Sequence, residues 1–202
     1  MSKSLKGELA ILILAAGGSS RMGKPKQLLS WKGKTLLEYA IDEALEVTDH
    51  VFVVLGAHFS EIRHTIHEKN VEIVKNDDWQ NGMGKSISKG IEHLMKKNSF
   101  KAALVMLVDQ PLLDRNHLLA LAQLFQSSQN AMVCTDYNEK LGVPAIFDQT
   151  LFAELEKLEN DFGARHIIRS YGNSVPSIPS KGKFVDMDTW EAYKKLFETY
   201  GK

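Results

Sequence analysis

Hydrophobic positions along this chain form two patterns: short, nearly continuous apolar runs, and longer segments in which an apolar residue returns every three or four positions. The runs are typical of strands buried on both faces of a parallel sheet, and the periodic segments are typical of amphipathic helices. Because the two kinds of segment alternate, we expect an α/β fold, a three-layer α/β/α sandwich around a mainly parallel sheet. The predicted strands are residues 9–16, 51–55, 71–74, 102–108, 131–134 and 144–147. The first predicted helix follows Thr35 and has Leu37, Ile41, Ala44 and Leu45 on one face. The other predicted helices are 60–68, 86–97, 115–126, 151–158 and 161–171, with a last helix after residue 188.

Capping residues predict where several of these helices begin. Thr35 and Glu38 have the spacing of a capping box, and Asp114 is a capping acid before the helix at 115–126. Asp188, followed by Glu191 three residues later, is the predicted cap of the last helix. We therefore expect ordinary side-chain caps at these helix starts.

The first apolar run leads into a segment suited to phosphate binding. Gly-Gly-Ser-Ser at 17–20 is followed by the cations Arg21, Lys24 and Lys26. Glycines let backbone N–H groups approach a ligand closely, and hydroxyls and cations add to the attraction. A strand, a glycine loop, cations and then a helix together predict a triphosphate site.

Two better-known phosphate loops do not fit this segment. Residues 18–24 match G-x-x-x-x-G-K, but Pro25 stands where a P-loop has the Ser or Thr that binds Mg²⁺. The dinucleotide fingerprint G-x-G-x-x-G also fails, because the glycines are Gly17, Gly18 and Gly23. Neither a P-loop NTPase nor a dinucleotide-binding site is expected.

Residues 14–26, LAAGGSSRMGKPK, resemble the signature of nucleotidyltransferases related to those that mature the molybdenum cofactor. The resemblance implies a Rossmann-like mixed sheet with one reversed strand, and Mg²⁺-dependent transfer of a nucleotidyl group to a phosphate with release of pyrophosphate. Lys26 occupies the family's lysine position, whereas Lys24 does not. The implied catalytic residues are Arg21, Lys26 and Asp109. The implied nucleotide-binding residues are Leu14, Ala15, Ala16, Gly17, Gly18, Ser19, Lys26, Gly82, Ser86 and Asp109.

Acidic residues follow the strand at 102–108 and precede the last helix. Asp109 lies at the carboxyl end of a buried strand, where open α/β sheets bind ligands, and a carboxylate there suits Mg²⁺. It also matches the family's Asp-x-Pro motif, which implies a metal ligand rather than a simple helix cap. Asp186 and Asp188 resemble the family's Asp-x-Asp-Thr element. The resemblance implies Asp186 as the second metal ligand and leaves Asp188 mainly a cap with an indirect, acceptor-side role.

Two further segments resemble family patterns, but each has one residue that differs from the pattern. Residues 76–86 resemble a segment that contacts the nucleobase and ribose, although Asp77 replaces the usual proline. Ser86 is either a nucleotide contact or a plain helix cap. Pro144 and Arg165 are the implied acceptor-binding residues, while Val143, where the family often has His, cannot donate a hydrogen bond.

Composition narrows the range of partners and locations. Lys plus Arg equals Asp plus Glu, so the formal net charge is zero and no global basic field favours nucleic acid. Cys134 is the lone cysteine, which excludes an internal disulfide and fits a reducing cytoplasm. We expect one nucleotidyltransferase domain over residues 1–202, with no membrane-spanning stretch and no secretion signal.

The most specific expectation is a molybdenum cofactor cytidylyltransferase. Ala16 gives L-A-A-G, typical of cytidylyl members, where guanylyl members have L-A-G-G. The expected partners are a nucleoside triphosphate, CTP favoured, and a molybdopterin-type phosphorylated acceptor, with a client molybdoenzyme or its chaperone as a further partner. The alternatives are a guanylyltransferase, a sugar-1-phosphate nucleotidyltransferase and a non-catalytic cofactor carrier.

Overall fold

The computed structural model describes residues 7–159, 161–183 and 187–202. The strands in chain order are β1 (Leu9–Ala15), β2 (Ser30–Trp31), β3 (Lys34–Thr35), β4 (Val51–Leu55), β5 (Glu72–Lys75), β6 (Ala102–Leu107), β7 (Met132–Asp136), β8 (Leu141–Asp148) and β9 (Ser177–Pro179). The helices are α1 (Leu36–Leu45), α2 (Phe59–Thr65), α3 (Met83–Lys97), α4 (Arg115–Ser127), α5 (Phe152–Leu155), α6 (Arg165–Ser170) and α7 (Trp190–Leu196). Each predicted strand and helix therefore has a counterpart, with boundaries that differ by a few residues.

Seven strands form one mixed sheet in the order β5-β4-β1-β6-β8-β7-β9. Strand β8 runs antiparallel to both of its neighbours, and every other pair in the sheet is parallel. The expected mostly parallel sheet with one reversed strand is confirmed. Strands β2 and β3 form a separate antiparallel pair that the sequence analysis did not predict.

Helices cover both faces of this sheet, because β1 is buried on both sides. Leu9, Ile11 and Ile13 face a core shared with α1, α2, α4 and α7. Ala10, Leu12 and Leu14 face the opposite core, shared with α3, α5 and α6. Alternate residues of a strand point to opposite faces, so an unbroken apolar run serves two cores. The predicted three-layer sandwich is confirmed.

Three helix starts differ from the sequence prediction. Helix α3 begins at Met83 with Gly82 as its N-cap, so the reading of Ser86 as a cap is wrong. Helix α7 is capped by Thr189, whose hydroxyl accepts from the Ala192 N–H at 3.2 Å, so the prediction that Asp188 caps it is also wrong. Helix α6 is shorter than predicted, and Asp161 precedes it. Both wrongly assigned cap residues lie instead in the cleft described below.

Two further features of the fold are the burial of its cysteine and the limited apolar character of its helices. Cys134 is fully buried on β7, and burial raises the pKa of its thiol to about 12, which fits an inert core residue. Within the described ranges, no helix combines the length and apolar character needed to cross a membrane.

Candidate active site

A cleft of about 340 Å³ opens where β1 and β6 end. The carboxyl ends of adjacent parallel strands meet at one edge of the sheet, and this edge is where α/β proteins bind ligands. Five parts of the chain line the cleft: the end of β1 with the glycine loop, the turn leading into α3, the residues around the end of β6, and the two separate acids Asp161 and Asp188. The fold therefore brings together residues that lie far apart in the sequence.

Ser19 closes the glycine loop upon itself. Its backbone has φ of 51°, and its carbonyl accepts from the Met22 N–H at 2.9 Å. Its hydroxyl accepts from the Lys26 N–H at 2.9 Å, which fixes the start of the 3₁₀ turn that carries Lys26. A local side-chain hydrogen bond of this kind sets the direction of the chain after the loop. Lys26 consequently points back toward the cleft.

Gln27 holds the loop from below, a role that the sequence analysis missed. Its buried side-chain amide donates to the Ala15 carbonyl at 2.6 Å and to the Gly17 carbonyl at 3.0 Å. These two carbonyls flank Ala16, so the amide fixes the backbone at the position that carries the predicted nucleotide preference. The available sequence signal was only that a polar residue directly precedes the apolar pair Leu28-Leu29.

An ion-pair cluster lies at the mouth of the loop. The Lys26 ammonium contacts Asp109 at 3.2 Å and also contacts Asp188. Arg21 pairs with the other oxygen of Asp188 at 2.7 Å. The Lys26 side chain is only 13% exposed, whereas that of Arg21 is 70% exposed. Burial alone would lower the pKa of Lys26, but Asp109 and Asp188 more than offset it and raise that pKa, so Lys26 is cationic at neutral pH.

The same two carboxylates suit a divalent metal. Both contact one ammonium, so their oxygens lie close enough to share a small cation. Mg²⁺ is usually held by one or two carboxylates together with water and substrate phosphates. Within the described ranges no group of three or more His, Cys, Asp or Glu could hold a metal alone. The donor set therefore fits a metal that is completed by phosphate oxygens.

Trp79 forms the wall that faces the glycine loop. A Cβ added to Gly56 would lie 2.4 Å from the Trp79 Cβ, and one added to Gly18 would lie 3.1 Å from its ring. The indole thus packs against backbone at two positions where only glycine fits closely. Gly18 supports this wall and is not itself part of the cleft lining.

Asn76 shapes the turn in which Asp77 replaces a proline. Its buried side chain accepts from the Asp78 N–H at 3.0 Å and donates to the Ser86 hydroxyl at 3.1 Å. These bonds fix the turn without the ring of a proline. Ser86 is inside α3, lines the cleft, and can still donate its own hydroxyl hydrogen to a ligand.

The remaining predicted site residues divide into those that line the cleft and those that lie outside it. Lys24 is exposed and does not line the cleft. Pro144 is buried in β8, where its carbonyl accepts from Thr135 at 2.7 Å, and Arg165 is exposed at the start of α6; neither lines the cleft. Asp188, the third acceptor-side candidate, does line it. Asp186 lies outside the described residues.

The chain is similar to characterised proteins over most of its length. The profile of the MobA-like NTP transferase domain matches residues 11–175. The purine catabolism protein PucB of Bacillus subtilis is 30% identical over 195 residues, which cover 90% of this chain and 92% of that protein. The molybdenum cofactor cytidylyltransferase of Escherichia coli is 30% identical over 90 residues, 44% of this chain and 47% of that protein. Nicotine blue oxidoreductase of Paenarthrobacter nicotinovorans is 40% identical over 102 residues, and the match spans about half of each chain, 50% and 48%.

Solved structures give the same picture of the fold. The crystal structure of Rv0371c from Mycobacterium tuberculosis superposes with a TM-score of 0.80 at 26% identity, covering 96% of this chain and 99% of that one. A second structure of Rv0371c is a complex with manganese.

Proposed function

Because this chain belongs to the MobA-like NTP transferase family, we propose that it transfers CMP from CTP to the phosphate of a molybdopterin-type acceptor and releases pyrophosphate. The observation that carries this proposal is the Lys26 ammonium, held between Asp109 and Asp188 where the glycine loop opens. A fixed cation beside two metal-binding carboxylates is the arrangement that phosphoryl chemistry needs.

In this reaction an acceptor phosphate oxygen forms a bond to the α-phosphorus of the nucleotide. The bond from that phosphorus to the oxygen bridging the α- and β-phosphates breaks, and pyrophosphate leaves with the electron pair. Lys26 and Arg21 neutralise the negative charge that builds on the phosphate oxygens. An acceptor phosphate is already ionised at neutral pH, so no residue has to act as a general base. The chain contributes positioning and charge.

We further propose that a divalent metal, Mg²⁺, takes part, with Asp109 as one ligand and Asp186 or Asp188 as the second. When bound, the metal polarises the phosphate oxygens and neutralises charge on the leaving group. Lys26 gives up part of its contact with these acids as the triphosphate enters, and its ammonium then faces phosphate oxygens instead. Asp188 keeps Arg21 at the rim through the opposite oxygen.

The preference for CTP is proposed to rest on Ala16. Ala16 is 5% exposed and lies in the cleft lining beside the backbone that Gln27 fixes. One methyl group there would disfavour a purine by size, a difference of roughly 10–200-fold in kcat/KM. Ala16→Gly should therefore reduce the ratio of kcat/KM for CTP to kcat/KM for GTP. A wild type that prefers GTP would replace the cytidylyl proposal with a guanylyl one.

The deciding experiment is a pyrophosphate-release screen. Four nucleoside triphosphates are each combined with molybdopterin and with a panel of sugar 1-phosphates, with and without Mg²⁺. Release with CTP and molybdopterin supports the proposal, and release with a sugar 1-phosphate supports the sugar nucleotidyltransferase alternative. Binding of molybdopterin without release under any condition would identify a carrier. The screen also shows whether Mg²⁺ is required.

A molybdoenzyme that receives the finished cofactor, or its chaperone, is the proposed protein partner. The proposed location is the cytoplasm, where a lone buried thiol such as Cys134 stays reduced.

A further inference from the structure

Asp161 is an acid in the cleft that the proposed chemistry does not use. It lines the wall that contains Trp79, Gly82 and Met83. Within the described residues its carboxylate has no hydrogen bond or ion pair, so Arg21 and Lys26 do not neutralise it. An acceptor group without a partner in a binding cleft is available to a ligand.

Two glycines fix the position of Asp161. Gly82 has φ of +95°, and a Cβ there would lie 2.0 Å from Asp161 Oδ1 and 2.7 Å from its Cα. Gly163 has φ of +55°, and its Cβ would lie 2.9 Å from the sulfur of Met83. The segment 161–163 therefore packs closely against the start of α3 at two positions whose positive φ favours glycine. The carboxylate is held beside the N-terminus of α3, a favourable place for a negative charge.

We propose that Asp161 selects the nucleobase by accepting a hydrogen bond from its exocyclic amino group. This inference rests on the proposed function, because it assigns the wall around Gly82 and Ser86 to the base of the triphosphate. Cytosine presents an amino donor at C4, whereas uracil presents a carbonyl oxygen that a carboxylate repels. The two pyrimidines have the same size, so the methyl group of Ala16 cannot distinguish them. Ala16 then excludes purines by size and Asp161 excludes uracil by polarity.

Binding measurements without acceptor test this selection directly. Isothermal titration of CTP and UTP with Mg²⁺ should show that the wild type binds CTP about tenfold or more tightly, as expected for a hydrogen bond to a charged group. Asp161→Asn keeps the size of the side chain and can donate to the uracil carbonyl, so it should lose most of this preference and gain affinity for UTP. Glu159→Gln is the matched control, because it removes the same charge at an exposed position two residues earlier.

Three results would overturn the inference: a wild type without a preference for CTP over UTP, an unchanged ratio in Asp161→Asn, or an equal shift in Glu159→Gln. Failure of the proposed function is recognised separately. It would appear as no pyrophosphate release with any acceptor, while the CTP-to-UTP binding ratio still depends on Asp161.

Discussion

Among single residues, Lys26 is the more tightly held of the two cations that line the cleft, because two carboxylates contact it and only a small part of its side chain meets water. A cation held in this way loses little conformational freedom when a phosphate arrives. Arg21 shares Asp188 but is exposed, so it adds charge at the rim with less positional control. The two cations thus contribute differently to the same site.

Asp109→Ala is expected to abolish turnover and leave the fold intact. Its side chain is 24% exposed at the end of β6 and belongs to neither core. Its removal therefore deletes the lysine contact and the proposed metal ligand, and leaves the packing unchanged. Steady-state kinetics and a thermal melt measure the two effects. Activity within about tenfold of wild type, a barrier change of roughly 1.4 kcal/mol, would contradict the metal assignment.

Lys26→Ala should reduce kcat/KM far more than Lys24→Ala. Lys26 lies between two acids in the cleft, whereas Lys24 is exposed outside it. The two variants lose the same charge two positions apart, so each serves as the control for the other. Similar defects in both, in proteins with unchanged thermal melting, would show that the loop binds phosphate in a different register.

Among the elements, α7 links the end of the chain to the glycine loop. The Trp190 indole N–H donates to the Met22 carbonyl at 3.0 Å, and the Tyr193 hydroxyl donates to the Ser30 carbonyl at 2.9 Å. Asp188 precedes this helix by two residues. Helix α7 therefore positions both the acid and the loop that supplies its cationic partners.

Trp190→Phe should raise KM for the nucleotide several-fold with a smaller effect on Tm, since one hydrogen bond of about 1 kcal/mol to the loop is lost. Tyr193→Phe removes one hydrogen bond from the same helix to Ser30, outside the loop, and is the matched control. A comparison of KM and kcat in the two variants separates loop positioning from general stability. Equal KM changes in both would contradict a specific link between α7 and the loop.

Element type and order could be predicted from the sequence, because continuous apolar runs and helical periodicity report burial directly. Helix starts with local caps could also be predicted, as Thr35 before α1 and Asp114 before α4 show. The starts of α3 and α7 could not, since they depend on tertiary contacts. Asp188 and Thr189 are both good caps, and Asp188 is taken by Lys26 and Arg21 from far along the chain, so Thr189 caps α7. Motif spacing found Lys26 and Asp109. It does not show that Gln27 bonds to backbone carbonyls of the loop or that Asp161 packs against Gly82.

For the whole molecule, stability should fall at mildly acidic pH because of His117. This residue is 7% exposed, and its ring nitrogen Nε2 lies 2.8 Å from the Thr135 hydroxyl, which itself donates to the Pro144 carbonyl. Burial, with a smaller effect of Lys183, lowers the pKa of His117 to about 4. Below the unfolded value near 6.5 the unfolded chain binds a proton that the folded protein does not, so stability is lost as pH falls from 6.5 to 4.

Urea unfolding at pH 7 and pH 5 measures this effect. The contribution of His117 to the free energy of unfolding should drop by about 2 kcal/mol between these values. In His117→Gln the free energy of unfolding should decrease less than in wild type between pH 7 and pH 5. His166→Gln, at an exposed position, should show the same decrease as wild type. The same pH dependence in His117→Gln and in wild type would contradict the assignment.

The strand order has a consequence for synthesis on the ribosome. The glycine loop follows the first strand of the sheet, yet its acidic partners come after β6 and just before α7. A nascent chain can pair β1 with β4 early, but Lys26 meets Asp109 only after β6 has emerged, and Asp188 still later. During translation the cations of the loop are therefore present before their counter-charges. The acid that completes the cluster, Asp188, emerges with the start of α7, after β9.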